Sequence, residues 1–213
     1  MDFANGQIYH VFNRGNNSQA IFFNHENYLF FLDKIRKSIL PHADILAWCL
    51  MPNHFHLMVS VNHIEVEISE QVTQVRASEG FTLSETLTKP SRKRTLNDSI
   101  GIMLRSYSRA IQKQQKITGS LFQKGTKALC LTETQGVSPA YFDTHFGTMG
   151  NLDLPETNYL NVCFDYIHMN PVYSKMVDNP EDWEFSSYRD YFCGRKGKLI
   201  NRELAKELGL IDV

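Results

Sequence analysis

The chain has 213 residues, 42% of them hydrophobic and 21% charged, with a formal net charge of −1. That is enough for one domain with a real core, and it fits neither a disordered chain nor a uniformly basic nucleic-acid binder. No apolar run approaches the roughly 18 residues of a membrane span, no leader pattern opens the chain, and Cys49, Cys130, Cys163 and Cys193 are scattered without CxxC spacing, so a cytoplasmic protein with reduced thiols is expected rather than a zinc cluster or a disulfide framework.

Ile8 to Asn13 is a short β-branched and aromatic run ended by Arg14-Gly15-Asn16-Asn17, a strand followed by a turn. Asn24 is placed to cap a helix from about His25 to Leu40, in which Tyr28, Leu32, Ile35 and Ile39 recur at helical spacing and Pro41 ends the run. Asp44–Leu50 and His54–Val61 read as two strands; only Met51-Pro52-Asn53 separates them, so a tight antiparallel hairpin is expected. Residues 62–97 read as a polar insertion with a weak helix or two. A longer helix follows from about Asn97 to Thr118. It carries an apolar stripe of Ile100, Met103, Leu104, Tyr107 and Ile111 and a basic stripe of Arg105, Arg109, Lys113 and Lys116. Leu121 to Thr132 reads as a strand bent near Gly125. Residues 133–158 form a second insertion, rich in Gly, Pro and Thr. Tyr159 to Met169 is a helix that Asn170-Pro171 should stop. The aromatic tail (Trp183, Phe185, Tyr188, Tyr191 and Phe192) should pack on the domain, and a short helix near Arg202–Leu208 closes the chain. The expected division is a main domain over residues 1–192, with its two insertions, and a tail over residues 193–213. Hairpin-linked strands alternating with helices predict an α+β fold: an antiparallel sheet of ferredoxin-like or RRM-like type, with helices packed on one face.

Charge is segregated along the chain. Lys89 to Lys127 holds ten basic residues and one acid, Asp98, whereas Ile64 to Thr88 holds five glutamates and only Arg76. A basic block can act as a phosphate footprint in a neutral chain, or can simply be a solvated face balanced by its acidic neighbour.

The chemistry concentrates in His54-Phe55-His56. Alternate residues of a strand share a face, so the two imidazoles project together and Phe55 goes to the other side. Two such histidines can chelate one divalent cation, but they leave the site needing a third ligand and open positions.

Met51-Pro52-Asn53-His54-Phe55-His56-Leu57-Met58-Val59 resembles the HUH segment of the REP-associated tyrosine transposases, which belong to the wider single-tyrosine HUH (IS200-like) transposase family. Three further blocks resemble the same family in the same order: Tyr9 to Asn17, Gly119-Ser120-Leu121-Phe122-Gln123, and Tyr166-Ile167-His168-Met169-Asn170-Pro171-Val172 with its follower Pro180 to Tyr188. The resemblance implies an HUH endonuclease fold and a transposase. Such an enzyme nicks and rejoins single-stranded DNA through a 5′-phosphotyrosine bond and a free 3′-hydroxyl, at hairpin-bearing repeats, as a homodimer or a monomer. It puts the nucleophile at Tyr166. Helix geometry agrees, since Tyr166 and Asn170 stand four residues apart on one face, where Asn170 can offer a carbonyl oxygen to a cation held by His54 and His56. Open sites that share phosphate oxygens suit Mg²⁺ or Mn²⁺. Tyr107 is the rival tyrosine, but its stripe assigns it to the core. His10 could approach DNA or metal from the first strand but is weighed first as a structural histidine, and His168 should point away from Tyr166. Arg14, Arg105, Arg109, Lys113 and Lys127 are the expected DNA contacts, made through charge rather than base reading. Two other functions stay open at this point: a non-catalytic RRM-like nucleic-acid binder, and a metal-dependent phosphodiesterase that uses water.

Overall fold

In a computed structural model of the chain, residues 1–68, 71–78, 81–88, 92–132, 141–144, 147–150 and 159–211 are described. The central sheet has four antiparallel strands: β1 (Ile8–Arg14), β2 (Ala43–Met51), β3 (His54–Val61) and β4 (Lys127–Cys130), in the spatial order β2-β3-β1-β4. Helix α1 (His25–Ser38) follows β1 and α2 (Leu96–Gln115) follows β3, which makes the β-α-β-β-α-β arrangement of a ferredoxin-like α+β fold. Alternation sorts the strands into two faces. Tyr9, Val11, Trp48, Leu50, Phe55, Leu57 and Val59 pack with Phe31, Ile35, Tyr107 and Ile111 of the two helices, forming one core.

The opposite face is covered too, and here the expectation of helices on one face is incomplete. Helix α3 (Tyr159–Tyr173) lies against Leu46, Cys49, Met51 and Met58, placing Cys163, Phe164, Tyr166 and Ile167 in a second core. The tail then runs along β2 and covers α3 in turn. Leu50 N–H donates to Phe185 O and Ser187 N–H to Trp48 O; α4 (Tyr188–Phe192) adds Tyr191, α5 (Arg202–Glu207) adds Ala205, and Leu210 beyond it joins the same core. Phe192 departs from the expected packing and stays exposed.

Local sequence explains the element ends. Asn24 caps α1 by accepting from Asn27 N–H, and Thr95 with Asp98 forms a capping box on α2. Helix α2 stops at Gln115 rather than at the expected Thr118, because Lys116 takes a left-handed conformation. Helix α3 continues past Asn170-Pro171 to Tyr173: the proline sits in the last turn, where its missing N–H forfeits a single helical bond. The turn after β1 requires Gly15. A side chain there would meet Gln19 O, and Gly15 N–H donates to Asn53 O at 2.7 Å, tying the turn to the β2–β3 hairpin.

The first insertion is strand rather than helix. Glu65–Ile68 pairs antiparallel with Arg92–Thr95, and Gln71–Ser78 with Phe81–Thr88. The acidic and basic stretches therefore meet across a ribbon, with Lys93 3.0 Å from Glu65. Part of the basic block balances its neighbour, and Lys89 lies outside the described residues.

Candidate active site

The β1–β3 register builds the site row by row on the α3 face. Arg14 pairs with His54, Phe12 with His56 and His10 with Met58, while Lys127 of β4 pairs with Phe12. Strand alternation thus brings Arg14, Phe12, His10, His54, His56 and Lys127 to one face, and sends Phe55 into the first core. Phe12, Arg14, His54, His56, Gln123 and Lys127 line a cleft of about 150 Å³ whose side chains include two cations and no carboxylate. Lys127 Nζ sits 5.6 Å over the Phe12 ring.

Helix α3 packs beside the two histidines, although none of its residues lines the cleft itself. Asn170 Oδ1 is 3.0 Å from His54 Nε2, and Asn170 Nδ2 is 3.4 Å from His56 Nε2. One turn earlier the Tyr166 ring stands edge-on to His56, with centroids 5.4 Å apart. Tyr166 is buried, and burial pushes its phenol up to about 12; the Asn170 hydrogen bond and the Arg14 guanidinium pull the other way. Burial and the neighbouring His54 hold His56 well below its ordinary value, so it is a neutral imidazole.

His54, His56 and Asn170 offer a divalent cation two imidazole nitrogens and one amide oxygen. Among the described residues no three His, Cys, Asp or Glu side chains are grouped as metal ligands. The arrangement here is two imidazoles and an amide. Neighbouring ligands on an octahedral ion at about 2.0–2.1 Å are roughly 3 Å apart, which is the spacing Asn170 Oδ1 already keeps from His54 Nε2. All three donors are neutral when His54 is neutral, so such a cation would keep its full charge for an anionic ligand.

The remaining candidates separate cleanly. Tyr107 is fully buried and its hydroxyl donates to Ile21 O at 2.7 Å, so it is a core residue. His168 faces away from the cleft and bonds Ser187 Oγ at 2.7 Å. Arg105, Arg109 and Lys113 are exposed on α2, on the far side of the sheet from α3. Arg105 and Arg109 line a groove of about 420 Å³ with Ser120, Phe122 and Gln123; Lys113 does not. That groove and the histidine cleft share Asn13, Gln123 and Gly125, so they meet over the edge of the sheet. Asn13 holds the junction, donating from Nδ2 to Gln123 O and Thr126 Oγ1. Sequence reasoning gave Asn13 and Asn53 no role and gave His10 a structural one; no spacing rule marks them, because their partners come from other elements.

Comparison with known proteins adds little. No family model and no curated protein matches the chain. A solved structure described as the REP-associated tyrosine transposase bound to a REP hairpin aligns over 94% of this chain and 86% of its own, at 15% identity and a TM-score of 0.49. At that likeness the chemistry has to be read from this chain's own residues. No helix among the described residues is long and apolar enough to cross a membrane.

Proposed function

We propose that the chain is a metal-dependent transposase-type endonuclease of the HUH single-tyrosine class, nicking and rejoining single-stranded DNA with Tyr166 as nucleophile. The observation that carries this reading is the position of Asn170. Its side chain touches both histidines while sharing a helix face with Tyr166, so nucleophile and cation site are one unit. His54, His56 and Asn170 would hold the cation, Mg²⁺ or Mn²⁺. When bound, it supplies charge that offsets what develops on the oxygens of the scissile phosphate.

Arg14 and Lys127 orient the phosphate, because they are the cations of the cleft. The Tyr166 oxygen attacks phosphorus while the phenol proton passes to water, which returns one to the departing oxygen. The bond from phosphorus to the 3′-oxygen breaks, and that oxygen leaves as a 3′-hydroxyl after taking a proton. The phosphodiester energy is kept in the 5′-phosphotyrosine bond, so the reverse attack by a 3′-hydroxyl rejoins the strand without ATP. The groove beside Arg105 and Arg109 meets the cleft and would take the flanking DNA, a hairpin included.

One observation speaks against a non-catalytic RRM-like binder. Such a domain reads RNA on the sheet face opposite its helices, and here α3 covers that face and buries His10, His56 and Met58. A hydrolytic phosphodiesterase would share the histidines but has no need of Tyr166. Incubation of the protein with labelled single-stranded hairpin DNA and Mn²⁺, followed by a denaturing gel, separates the two. A covalent protein–DNA adduct supports the tyrosine mechanism, and cleavage without an adduct overturns it.

A further inference from the structure

We infer that His10 and Asn53 are positioning residues that fix the tautomers of the two cleft histidines, so that both Nε2 lone pairs face Asn170. The inference rests on the proposed cation site and concerns which ring nitrogen carries the proton.

A neutral imidazole has one N–H and one lone pair, and only the lone pair can bind a cation. His54 Nδ1 is 2.6 Å from Asn53 Oδ1. The Asn53 amide is oriented by its other end, since Nδ2 donates to Ser18 O at 3.3 Å, leaving Oδ1 as the atom turned to His54. An amide oxygen only accepts, so His54 must carry its proton on Nδ1. His54 Nε2 then presents a lone pair 3.0 Å from Asn170 Oδ1. That spacing is the one a cation shared by the two atoms would keep.

His56 is treated the same way by a different partner. Its Nδ1 lies 2.9 Å from His10 Nε2, with both rings buried in β1 and β3. One proton must sit between these nitrogens. If His10 donates it, His56 is left with its proton on Nε2 and cannot bind a cation there. If His56 donates it, His56 Nε2 is a lone pair, which is what the 3.4 Å approach of Asn170 Nδ2 requires. The second arrangement satisfies both approaches at once. His10 is held ready for it, stacked on Phe12 with centroids 4.7 Å apart.

The test has two readouts that do not depend on DNA cleavage. In metal-free wild-type protein, ¹⁵N-histidine long-range correlation spectra should show Nδ1–H tautomers at His54 and His56. Co²⁺ alone, followed by its absorption bands, then reports site affinity. His10→Phe and Asn53→Ala should each weaken Co²⁺ binding by about 10–100-fold, the usual effect of removing a partner that orients a ligating histidine. His10→Gln, whose amide oxygen can accept, should recover most of the affinity, as should Asn53→Asp. An Nε2–H tautomer at either histidine in the wild-type spectrum overturns the inference, as does unchanged affinity in folded His10→Phe and Asn53→Ala. Should these variants not fold, the wild-type spectrum alone decides. If wild-type protein binds no Co²⁺, the cation site falls, while the tautomers remain measurable.

Discussion

Asn170 Oδ1 lies 3.0 Å from His54 Nε2, across the interface between α3 and β3. An amide there lends an oxygen without adding charge or acidity. Asn170→Ala keeps the helix but removes that oxygen, so nicking in Mg²⁺ should drop by about 10²-fold or more, with part of the rate recovered at high Mn²⁺ concentration. His56→Ala should abolish nicking while leaving the protein folded. The measurement is the nicking rate against metal concentration. An unchanged metal dependence in either variant would remove it from the ligand set.

Tyr166→Phe deletes only a hydroxyl, so DNA binding should persist while the nick and the covalent adduct both vanish. Tyr107→Phe should keep both reactions. Its cost is the buried bond to Ile21 O, about 1 kcal/mol of stability, readable in a denaturant midpoint. Peptide mapping of the DNA-linked fragment settles the point, because an adduct on the Tyr107 peptide reverses the assignment.

Arg105 and Arg109 line the groove that meets the cleft. Replacing both with alanine should reduce the slope of log K against log salt by roughly 0.7 for each single-strand phosphate that the protein no longer neutralises. Lys93, engaged with Glu65 in the ribbon, serves as the control and should leave the slope unchanged. An unaltered slope in the double variant would make the two arginines ordinary solvated surface.

Ser187 ties the tyrosine helix to the sheet. Its Oγ is 2.9 Å from Trp48 N, 3.2 Å from Trp48 O and 2.7 Å from His168 Nε2. Ser187→Ala leaves these buried groups without that partner, at a cost of about 1–3 kcal/mol. Because α3 carries Tyr166 on its other side, the variant should also slow nicking more than it weakens DNA binding. Equal stability of variant and wild type by urea unfolding would show that the Ser187 hydroxyl is dispensable.

The histidine pair was legible because strand alternation depends on local sequence alone: once His54–Val61 is a strand, His54 and His56 must share a face and Phe55 must oppose them. The β2–β3 hairpin and the burial of Tyr107 follow from equally local patterns. The position of α3 was not legible in the same way. It is buried on both sides, by the sheet and by the tail, so it shows no polar stripe to say which way it faces. The ribbon was missed because the polar composition of residues 62–97 masked an alternation that cross-strand pairing of Glu65 and Glu67 with Thr95 and Lys93 makes plain. His10 and Asn53 were out of reach for a further reason, since their roles depend on which nitrogen of another residue they touch.

Buried histidines make the metal-free protein acid-sensitive. Burial depresses His10 and His168 to about 3, and depresses His42 and His56 as well. In the unfolded chain each returns to about 6.5. Below that pH the unfolded state binds protons that the folded state refuses, so stability is present above pH 6.5 and is lost as pH falls from there toward the folded values. Each fully refused proton adds a slope of about 1.4 kcal/mol per pH unit, so His10 and His168 together approach roughly 3 kcal/mol per unit, and His42 and His56 act in the same direction. The urea midpoint in EDTA should therefore be level from pH 7 to 8.5 and fall steeply from pH 6.5 to 5. His168→Gln, which can still reach Ser187 with an amide, should lessen the slope by about one proton. A midpoint that holds level down to pH 5 would mean that these imidazoles take up protons in the folded state, and that the neutral ring pair of His10 and His56 is wrong.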